Sequence, residues 1–190
     1  FGSISFQTTD SQILKTIKRP KVYVDISKEK VALFQESNLL VSTEIILGLP
    51  GETRKTVQTT LDYLRHDSEV KQANFAIAIP YPGTEFNAMA QSGHQGMEII
   101  SDDFSEYKRY GSAVTNVGEL TAQDLIDLQN DGFVSIYSKP DRWKSVIKKN
   151  GWFGGVLMLL RVLKLIINKR FKLFKKINIR LPFKLGVPKW

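Results

Sequence analysis

The chain of 190 residues contains no cysteine. Without thiolates it cannot ligate zinc or an iron–sulfur cluster through sulfur, and it has no cysteine nucleophile. The absence of disulfides fits a cytosolic protein. Imidazole is scarce as well, because His66 and His94 are the chain's two histidines and their spacing suits no metal site. We therefore predict that this chain supplies no metal ligand and that both histidines are structural or exposed to solvent.

Acidic side chains are missing from the C-terminal quarter of the chain. Residues 142–190 carry fourteen Lys and Arg and no Asp or Glu, whereas residues 1–141 carry thirteen basic and nineteen acidic side chains. The net charge of +8 therefore describes a mildly acidic domain followed by a strongly basic tail.

The basic tail also lacks a long uninterrupted apolar run, since Arg161 and Lys164 divide it, and we expect no segment that spans a bilayer. A helical wheel separates a basic set, Arg161, Lys164, Lys172 and Lys175, from an apolar set, Leu159, Leu163, Ile166, Leu173 and Ile177. A basic amphipathic helix over residues 151–190 suits an anionic membrane surface. The alternative is a terminal helix that packs its apolar face on the domain. Nucleic acid is less favoured, because no recognition motif accompanies the charge.

Strands and helices are predicted to alternate over the first half of the chain. The strands are Ser3–Gln7, Leu39–Leu47 and Phe75–Ile79, and the helices follow Asp10, Ser27, Gly51 and Thr84. The helix after Gly51 carries an apolar stripe of Val57, Leu61 and Leu64. Helical crossovers favour a parallel sheet, either part of a barrel or an open α/β sheet. Three strands cannot close a barrel, so we expect further barrel sequence upstream of Phe1.

The second half of the chain is predicted to be a loop followed by helices. Residues 92–120 are polar and contain glycine. Thr121 and Asp124 form a capping box for a helix, and a short basic helix starts at Arg142. The predicted organisation is thus a partial barrel over residues 1–92, a loop and helical extension over 93–150, and the basic tail over 151–190.

Each predicted strand ends in a polar or glycine-containing corner. The corners are Gln7–Asp10, Gly48–Gly51 and Pro80–Gly83. The C-terminal ends of parallel strands are where such folds bind ligands, so the three corners predict a ligand-binding rim. The rim is not a P-loop, because the Gly-Lys-Ser/Thr ending is absent. Glu52 lies in a first helical turn, where a structural role is at least as well supported as a catalytic one.

Three of these segments resemble motifs of radical S-adenosylmethionine (SAM) enzymes. Ser5-Phe-Gln-Thr-Thr-Asp-Ser-Gln-Ile-Leu-Lys15 resembles a strand end that many of them write as Glu-Ser-Gly-Ser-Pro-x-Ile-Leu. Ile45-Ile-Leu-Gly-Leu-Pro-Gly-Glu-Thr53 and Ile79-Pro-Tyr-Pro-Gly-Thr-Glu-Phe86 are similar to their next two strand ends. Residues 124–143 are similar to the helical region of the cobalamin-dependent branch, which includes the anaerobic magnesium-protoporphyrin monomethyl ester cyclase. The likeness covers about residues 1–145.

The resemblance implies a partial TIM-like (βα) barrel, here its C-terminal half, that holds SAM against a [4Fe–4S] cluster. Reductive cleavage of SAM would give a 5′-deoxyadenosyl radical that abstracts hydrogen from a small-molecule substrate. The implied cofactor-binding residues fall into three groups: Gln7, Thr8 and Thr9 near the ribose or methionine end, Ile46, Leu47 and Gly48 along the adenine, and Pro80 with Tyr81 closing the pocket. Gln7 departs from the family, which often has Glu there.

The larger departure is the missing CxxxCxxC motif, whose thiolates hold the cluster. Either the cluster ligands lie upstream of Phe1, with a cobalamin domain as a further expectation, or the activity has been lost. Two other functions stay open from the residues: a non-enzymatic, membrane-associated or scaffold protein that keeps a half-barrel, and a different βα-barrel enzyme that binds phosphate or nucleotide. The expected location is cytoplasmic, with peripheral membrane attachment through the tail.

Overall fold

The computed structural model describes residues 2–19, 23–37, 39–67 and 70–176. Over these residues the chain is a mixed α/β protein with a helical C-terminal region. Its strands are β1 (Gly2–Gln7), β2 (Val41–Leu47), β3 (Gln72–Ile77), β4 (Met97–Ile99) and β5 (Thr115–Val117). Its helices are α1 (Ser11–Thr16), α2 (Tyr23–Glu36), α3 (Arg54–Asp62), α4 (Glu85–Gln91), α5 (Ala122–Tyr137) and α6 (Pro140–Lys176).

The first three strands form a parallel sheet in the order β1-β2-β3, as the alternation of strands and helices predicts. Every second residue of β2 is buried, namely Val41, Thr43, Ile45 and Leu47. These side chains belong to the face on which the helices pack, since they share a core with residues of α3 and α5. Side chains at the intervening positions point to the other face.

One hydrophobic core crosses all three regions predicted from the sequence. It joins Phe6 and Phe75 of the sheet to the α3 stripe of Val57, Leu61 and Leu64, each of which is buried as predicted. Residues of α5 and α6 complete it, including Leu125, Leu128, Phe133, Ile136, Val146 and Val162. The domain boundaries at residues 92 and 150 stay predictions, but the packing is continuous across both.

Local capping signals place most helix starts correctly. The Asp10 carboxylate accepts hydrogen bonds from the backbone of Gln12 and Ile13, Thr84 caps α4, and Thr121 with Asp124 forms the predicted box at α5. Ser27 is an exception, because α2 already begins at Tyr23 and Ser27 lies buried one turn inside it. A serine is tolerated within a helix, so its presence alone does not mark a cap.

The polar stretch 92–120 contains structure that the sequence pattern did not predict. Strands β4 and β5 pair in antiparallel register, Met97 with Val117 and Ile99 with Thr115. Met97 and Val117 are buried in a small second core together with Ala90 of α4. Two three-residue strands carry too short an alternation to be recognised, and their pairing depends on this non-local contact.

The N-terminal end of β3 is fastened to the C-terminal helices by buried polar groups. The Tyr137 hydroxyl donates to the Ala73 carbonyl at 3.1 Å and accepts from the Ala73 amide at 3.3 Å. The buried Arg142 guanidinium donates to the carbonyls of Val70 at 2.8 Å and Leu64 at 2.7 Å. These buried hydrogen bonds connect the backbone around the start of β3 to α5 and α6.

Helix α6 is interrupted at Gly151, whose φ of 72° and ψ of 173° are not helical. The stretch Asn150–Lys169, which includes this break, is long and apolar enough to cross a membrane by length and composition, and only 11% of it is buried. The expectation that no segment reaches this length was therefore wrong. Arg161 and Lys164 interrupt the apolar residues, but the average hydropathy of the stretch remains high enough for a membrane-spanning helix.

The face of α6 that packs on the domain also differs from the predicted one. Val162 is only 4% exposed, and Met158, Leu165 and Ile166 pack against the core, whereas the predicted apolar residues Leu159 and Leu163 are exposed. The Arg161 guanidinium lies 4.9 Å from the centre of the Phe133 ring, on the domain side of the helix. Ile166 is the one described member of the predicted apolar set that packs on the domain, and the side chains of residues 172–177 lie outside the described ones.

Candidate functional site

The three predicted corners lie at the same end of the parallel sheet, where the strands have their C-terminal ends. In the sheet register Leu47 pairs with Ile77, and the Ala78 amide donates to the Leu47 carbonyl at 2.8 Å. Gln7 pairs with Ile45 across a register shift that places a bulge near the end of β1. The segments that follow β1, β2 and β3 therefore emerge beside one another, as expected for a rim of parallel strands.

The exit from β1 is bent and held by threonine hydroxyls. Gln7 has a φ of 60°, a left-handed conformation that is uncommon for a residue with a side chain. The Thr60 hydroxyl of α3 accepts from the Thr9 amide at 3.2 Å and lies 3.0 Å from the Thr9 hydroxyl and 3.4 Å from that of Thr8. Thr8 is buried, so its side chain fixes the loop, while Gln7 accepts from Arg19 Nε at 3.3 Å.

The exit from β2 is closed by the buried carboxyl group of Glu52. Glu52 Oε2 accepts from the backbone amides of Gly48 at 2.7 Å and Leu49 at 3.2 Å. Gly48 has a φ of 81°, and a Cβ added there would lie 3.1 Å from a methyl group of Leu125. Only glycine therefore meets both the backbone conformation and the space. Glu52 thus has the structural role that the sequence left open, as the clamp of this turn.

The protonation of Glu52 is set by its surroundings. Burial raises its pKa from the ordinary 4.5 to about 8, while the two backbone amides act in the opposite direction and the nearby Asp10 adds to the rise. The group is therefore predominantly a neutral carboxylic acid near pH 7. A neutral acid in this position keeps the β2 exit free of net charge.

The exit from β3 combines a fixed turn with an exposed ring. The Pro80 carbonyl accepts from Asn87 Nδ2 at 3.0 Å, and the Tyr81 carbonyl accepts from the Thr84 hydroxyl at 2.6 Å. Pro80 is buried, whereas the Tyr81 side chain is 47% exposed and lies 6.1 Å from the ring of Tyr107. The turn is rigid and presents an aromatic face at the rim.

A loop covers the outer edge of β3. The Ile77 amide donates to the Arg109 carbonyl at 3.0 Å. The buried Gln129 amide donates to the carbonyls of Phe75 at 2.6 Å and Arg109 at 2.9 Å and accepts from the Gly111 amide at 2.8 Å. This edge is therefore occupied, while no described strand pairs with the far edge of β1.

The sheet face opposite the helices carries a row of polar residues that the sequence motifs do not indicate. Ser5, Glu44 and Asn74 are paired in register across the three strands, with Glu44 and Asn74 exposed. One step nearer the rim, Ile46 and Ala76 pair on the same face. The signal was present in the sequence, because polar residues at alternate positions of buried strands mark a face that does not enter the core.

The predicted cofactor-binding residues divide into two groups. Gln7, Thr9 and Ile46 are half-buried and Tyr81 is exposed, so these four are accessible at the rim or the open face. The other four, Thr8, Leu47, Gly48 and Pro80, are buried. Among the described residues, no three Asp, Glu or His side chains lie close enough together to hold a metal ion. His66 and His94 are both exposed, as predicted.

Comparison with known proteins finds partial matches to methylthiotransferases. The probable threonylcarbamoyladenosine tRNA methylthiotransferase of Methanocaldococcus jannaschii is 42% identical over 67 residues, which are 34% of this chain and 16% of that protein. The ribosomal protein uS12 methylthiotransferase RimO of Acinetobacter baumannii is 36% identical over 63 residues, 32% of this chain and 14% of that protein. These relatives confirm the resemblance to radical SAM enzymes over part of the chain.

Among solved structures, Elp3 of Methanocaldococcus infernus with an N-terminal deletion superposes on 48% of this chain and 22% of its own, with a TM-score of 0.43 and 22% identity. A TM-score below 0.5 does not establish a shared fold. No protein-family model matches the chain.

Proposed function

We propose that this chain is the C-terminal portion of the partial barrel of a radical SAM enzyme and that its rim binds part of the SAM molecule. The observation that carries the proposal is that the three strand exits with the resembling motifs lie side by side at the C-terminal end of the sheet. The two methylthiotransferases, which match about a third of the chain, support the same enzyme class.

The surfaces at the rim suit an adenosyl group. Ile46 supplies a half-buried apolar surface on the open face, and Tyr81 supplies an exposed ring at the next exit. An aromatic base is bound by such apolar and aromatic surfaces together with backbone polar groups. In this proposal Gln7 and Thr9 lie toward the ribose or methionine end, with Gln7 supplying one amide in place of a carboxylate.

The cluster does not fit this chain, because no cysteine is present to ligate iron. Its ligands would have to be supplied from outside the chain, and the cleavage chemistry of the cluster would come with them. The far edge of β1 is the place for that part to join, since a loop held by Gln129 already covers the outer edge of β3. A strand edge with which no described strand pairs can accept another strand.

Several finer expectations accompany the proposal. Residues 1–92 would contribute the barrel strands and residues 93–150 their helical support, in a cytoplasmic enzyme that acts on a small-molecule substrate. An upstream cobalamin domain stays a prediction of the sequence resemblance. The two relatives act, by their names, on tRNA and on a ribosomal protein, which makes methylthio transfer one candidate reaction of a complete protein.

Equilibrium dialysis of the chain against labelled SAM tests the proposal. A half-site is expected to bind weakly, with a Kd on the order of 1 mM or about −4 kcal/mol. Tyr81→Ala should weaken SAM binding several-fold, because it removes the aromatic ring proposed to contact the adenine. The variant should remain folded, because this ring is exposed and contributes little to the core. Leu33→Ala removes an exposed apolar side chain from α2 and is the matched control.

Competition by other ligands separates the alternatives. S-adenosylhomocysteine should displace SAM, whereas inorganic phosphate should not. Displacement by phosphate would instead favour the phosphate- or nucleotide-binding barrel. Failure of SAM to bind, or equal binding by wild type and Tyr81→Ala, would contradict the proposed rim.

A further inference from the structure

The side of α6 that faces away from the domain is almost entirely apolar. Between residues 152 and 167 it exposes eight large hydrophobic side chains: Trp152, Phe153, Val156, Leu157, Leu159, Leu160, Leu163 and Ile167. Trp152 and Phe153 are 74% and 75% exposed. Positions 152, 156, 159, 163 and 167 follow the helical repeat, and positions 153, 157 and 160 lie beside them, so the eight side chains form one continuous apolar stripe. An exposed apolar surface of this extent marks a site of interaction.

The opposite side of the same helix is docked on the domain. Val162 is buried against the core, the Arg161 guanidinium covers the Phe133 ring, and Lys169 pairs with Asp131 of α5 at 2.7 Å. A helix that crossed a bilayer would have to leave these contacts or bring α5 into the lipid. The docking therefore favours a helix that lies in the plane of a surface, although Asn150–Lys169 is long enough to span one.

The charge around the stripe selects the kind of surface. Residues 142–190 carry fourteen basic side chains and no acidic one. Lys144, Lys148 and Lys164 are exposed on α6, and the helix continues to Lys176 through further basic residues. Apolar side chains flanked by lysines match the boundary between acyl chains and anionic headgroups, and each basic group near such a surface adds about 1 kcal/mol.

We propose that the exposed stripe of α6 inserts into the headgroup region of an anionic lipid bilayer, in the membrane plane, with the domain still attached to the other side of the helix. The occupant is the bilayer surface, because a protein groove would account for the apolar stripe but not for the excess of positive charge along it. The inference is independent of SAM binding at the rim.

Co-sedimentation with vesicles tests this proposal. The chain should bind phosphatidylcholine–phosphatidylglycerol vesicles at least ten-fold more than vesicles of phosphatidylcholine alone, and added salt should reduce the difference. The triple variant Trp152→Ser, Phe153→Ser and Leu160→Ser should lose at least ten-fold of the binding. The control triple Leu33→Ser, Ile100→Ser and Phe104→Ser removes three exposed apolar side chains elsewhere and should bind as wild type does.

A second measurement does not depend on the stability of the triple variant. With Trp143→Phe and Trp190→Phe, Trp152 becomes the single tryptophan, and lipids brominated near the headgroup should quench its fluorescence more than lipids brominated at the chain ends. Carbonate should release the bound protein.

Each of the following results would overturn the proposal: no binding of the wild type to anionic vesicles, unchanged binding by the stripe variant, stronger quenching from the bilayer centre, or retention after carbonate. Dimerisation in solution without vesicle binding would assign the stripe to a second copy of the chain and would also overturn it.

Discussion

The two ends of the parallel sheet differ in hydrogen bonding, backbone conformation and exposure. At the N-terminal end of β3, Tyr137 and Arg142 make buried hydrogen bonds to the backbone and leave little exposed. At the C-terminal rim, Gln7 and Gly48 have positive φ angles, Tyr81 is exposed, and Glu52 is a buried acid. The N-terminal end is closed by buried side-chain hydrogen bonds, whereas the rim holds residues with positive φ and an exposed aromatic ring.

This contrast is the one expected of a βα fold that separates stability from ligand binding. Unusual backbone conformations cost free energy and persist where they serve a function. The difference between the two ends therefore supports the rim as the ligand side of the molecule. It also predicts that substitutions at the two ends have different consequences.

The largest expected effect is at the stable end. Arg142→Ala removes the buried guanidinium hydrogen bonds to the carbonyls of Leu64 and Val70, and we expect a loss of about 3 kcal/mol in the free energy of unfolding. Urea denaturation measures this loss. Lys148→Ala, at an exposed position on the same helix, should change stability little.

The same Arg142→Ala protein, kept at a temperature where it is folded, should bind SAM as wild type does. A drop in affinity per folded molecule would show that the two ends are not independent and would break the comparison.

At the rim, Glu52 should make stability depend on pH. The folded state keeps this acid protonated up to about pH 8, whereas the unfolded chain ionises it near 4.5. Its favourable contribution is therefore complete below pH 4.5 and is lost as the pH rises through 8. Between pH 5 and pH 8 we expect a decrease on the order of 3 kcal/mol from this group.

Urea denaturation across that pH range checks the expectation. Glu52→Gln still accepts from Gly48 and Leu49 but cannot ionise, so its stability should vary much less with pH. Glu44→Gln removes an exposed carboxylate from β2 and should retain the wild-type dependence. An unchanged pH profile in Glu52→Gln would show that Glu52 is not the titrating group.

Alanine substitutions at two rim glycines should separate the cost of a positive φ from the cost of a steric contact, with smaller effects on stability. Gly48 and Gly83 both have a φ of 81°, but a Cβ at Gly48 meets Leu125 at 3.1 Å and one at Gly83 meets nothing within 4 Å. Gly83→Ala should cost about 1 kcal/mol from φ alone, and Gly48→Ala about 2 kcal/mol or more. Equal thermal stabilities would contradict the close packing of the β2 exit on α5.

The parts of this fold that were predictable from the sequence depend on local signals. Asp10, Thr84 and Thr121 cap helices through residues two or three positions away, so their roles can be read directly. The order of strands and the meeting of the three exits follow from the connection rules of parallel sheets.

The parts that were missed depend on distant contacts. β4 and β5 are stabilised by a small core shared with α4, and their sequences alone carry little pattern. The buried face of α6 depends on its packing against α5, where the Arg161 guanidinium lies over the Phe133 ring. The polarity pattern of α6 alone does not predict this face. Thr60 joined the rim unpredicted, because its partners Thr8 and Thr9 lie about fifty residues earlier in the chain.

Binding of SAM at the rim is tested most directly by titrating the isotope-labelled chain with SAM and following the amide chemical shifts. We expect changes at the rim amides of Gly48, Leu49 and Tyr81, with no change at Ala73 or Arg142 at the opposite end. Shifts confined to the Ala73 end, or no shift at the rim with SAM in excess over a millimolar Kd, would contradict it.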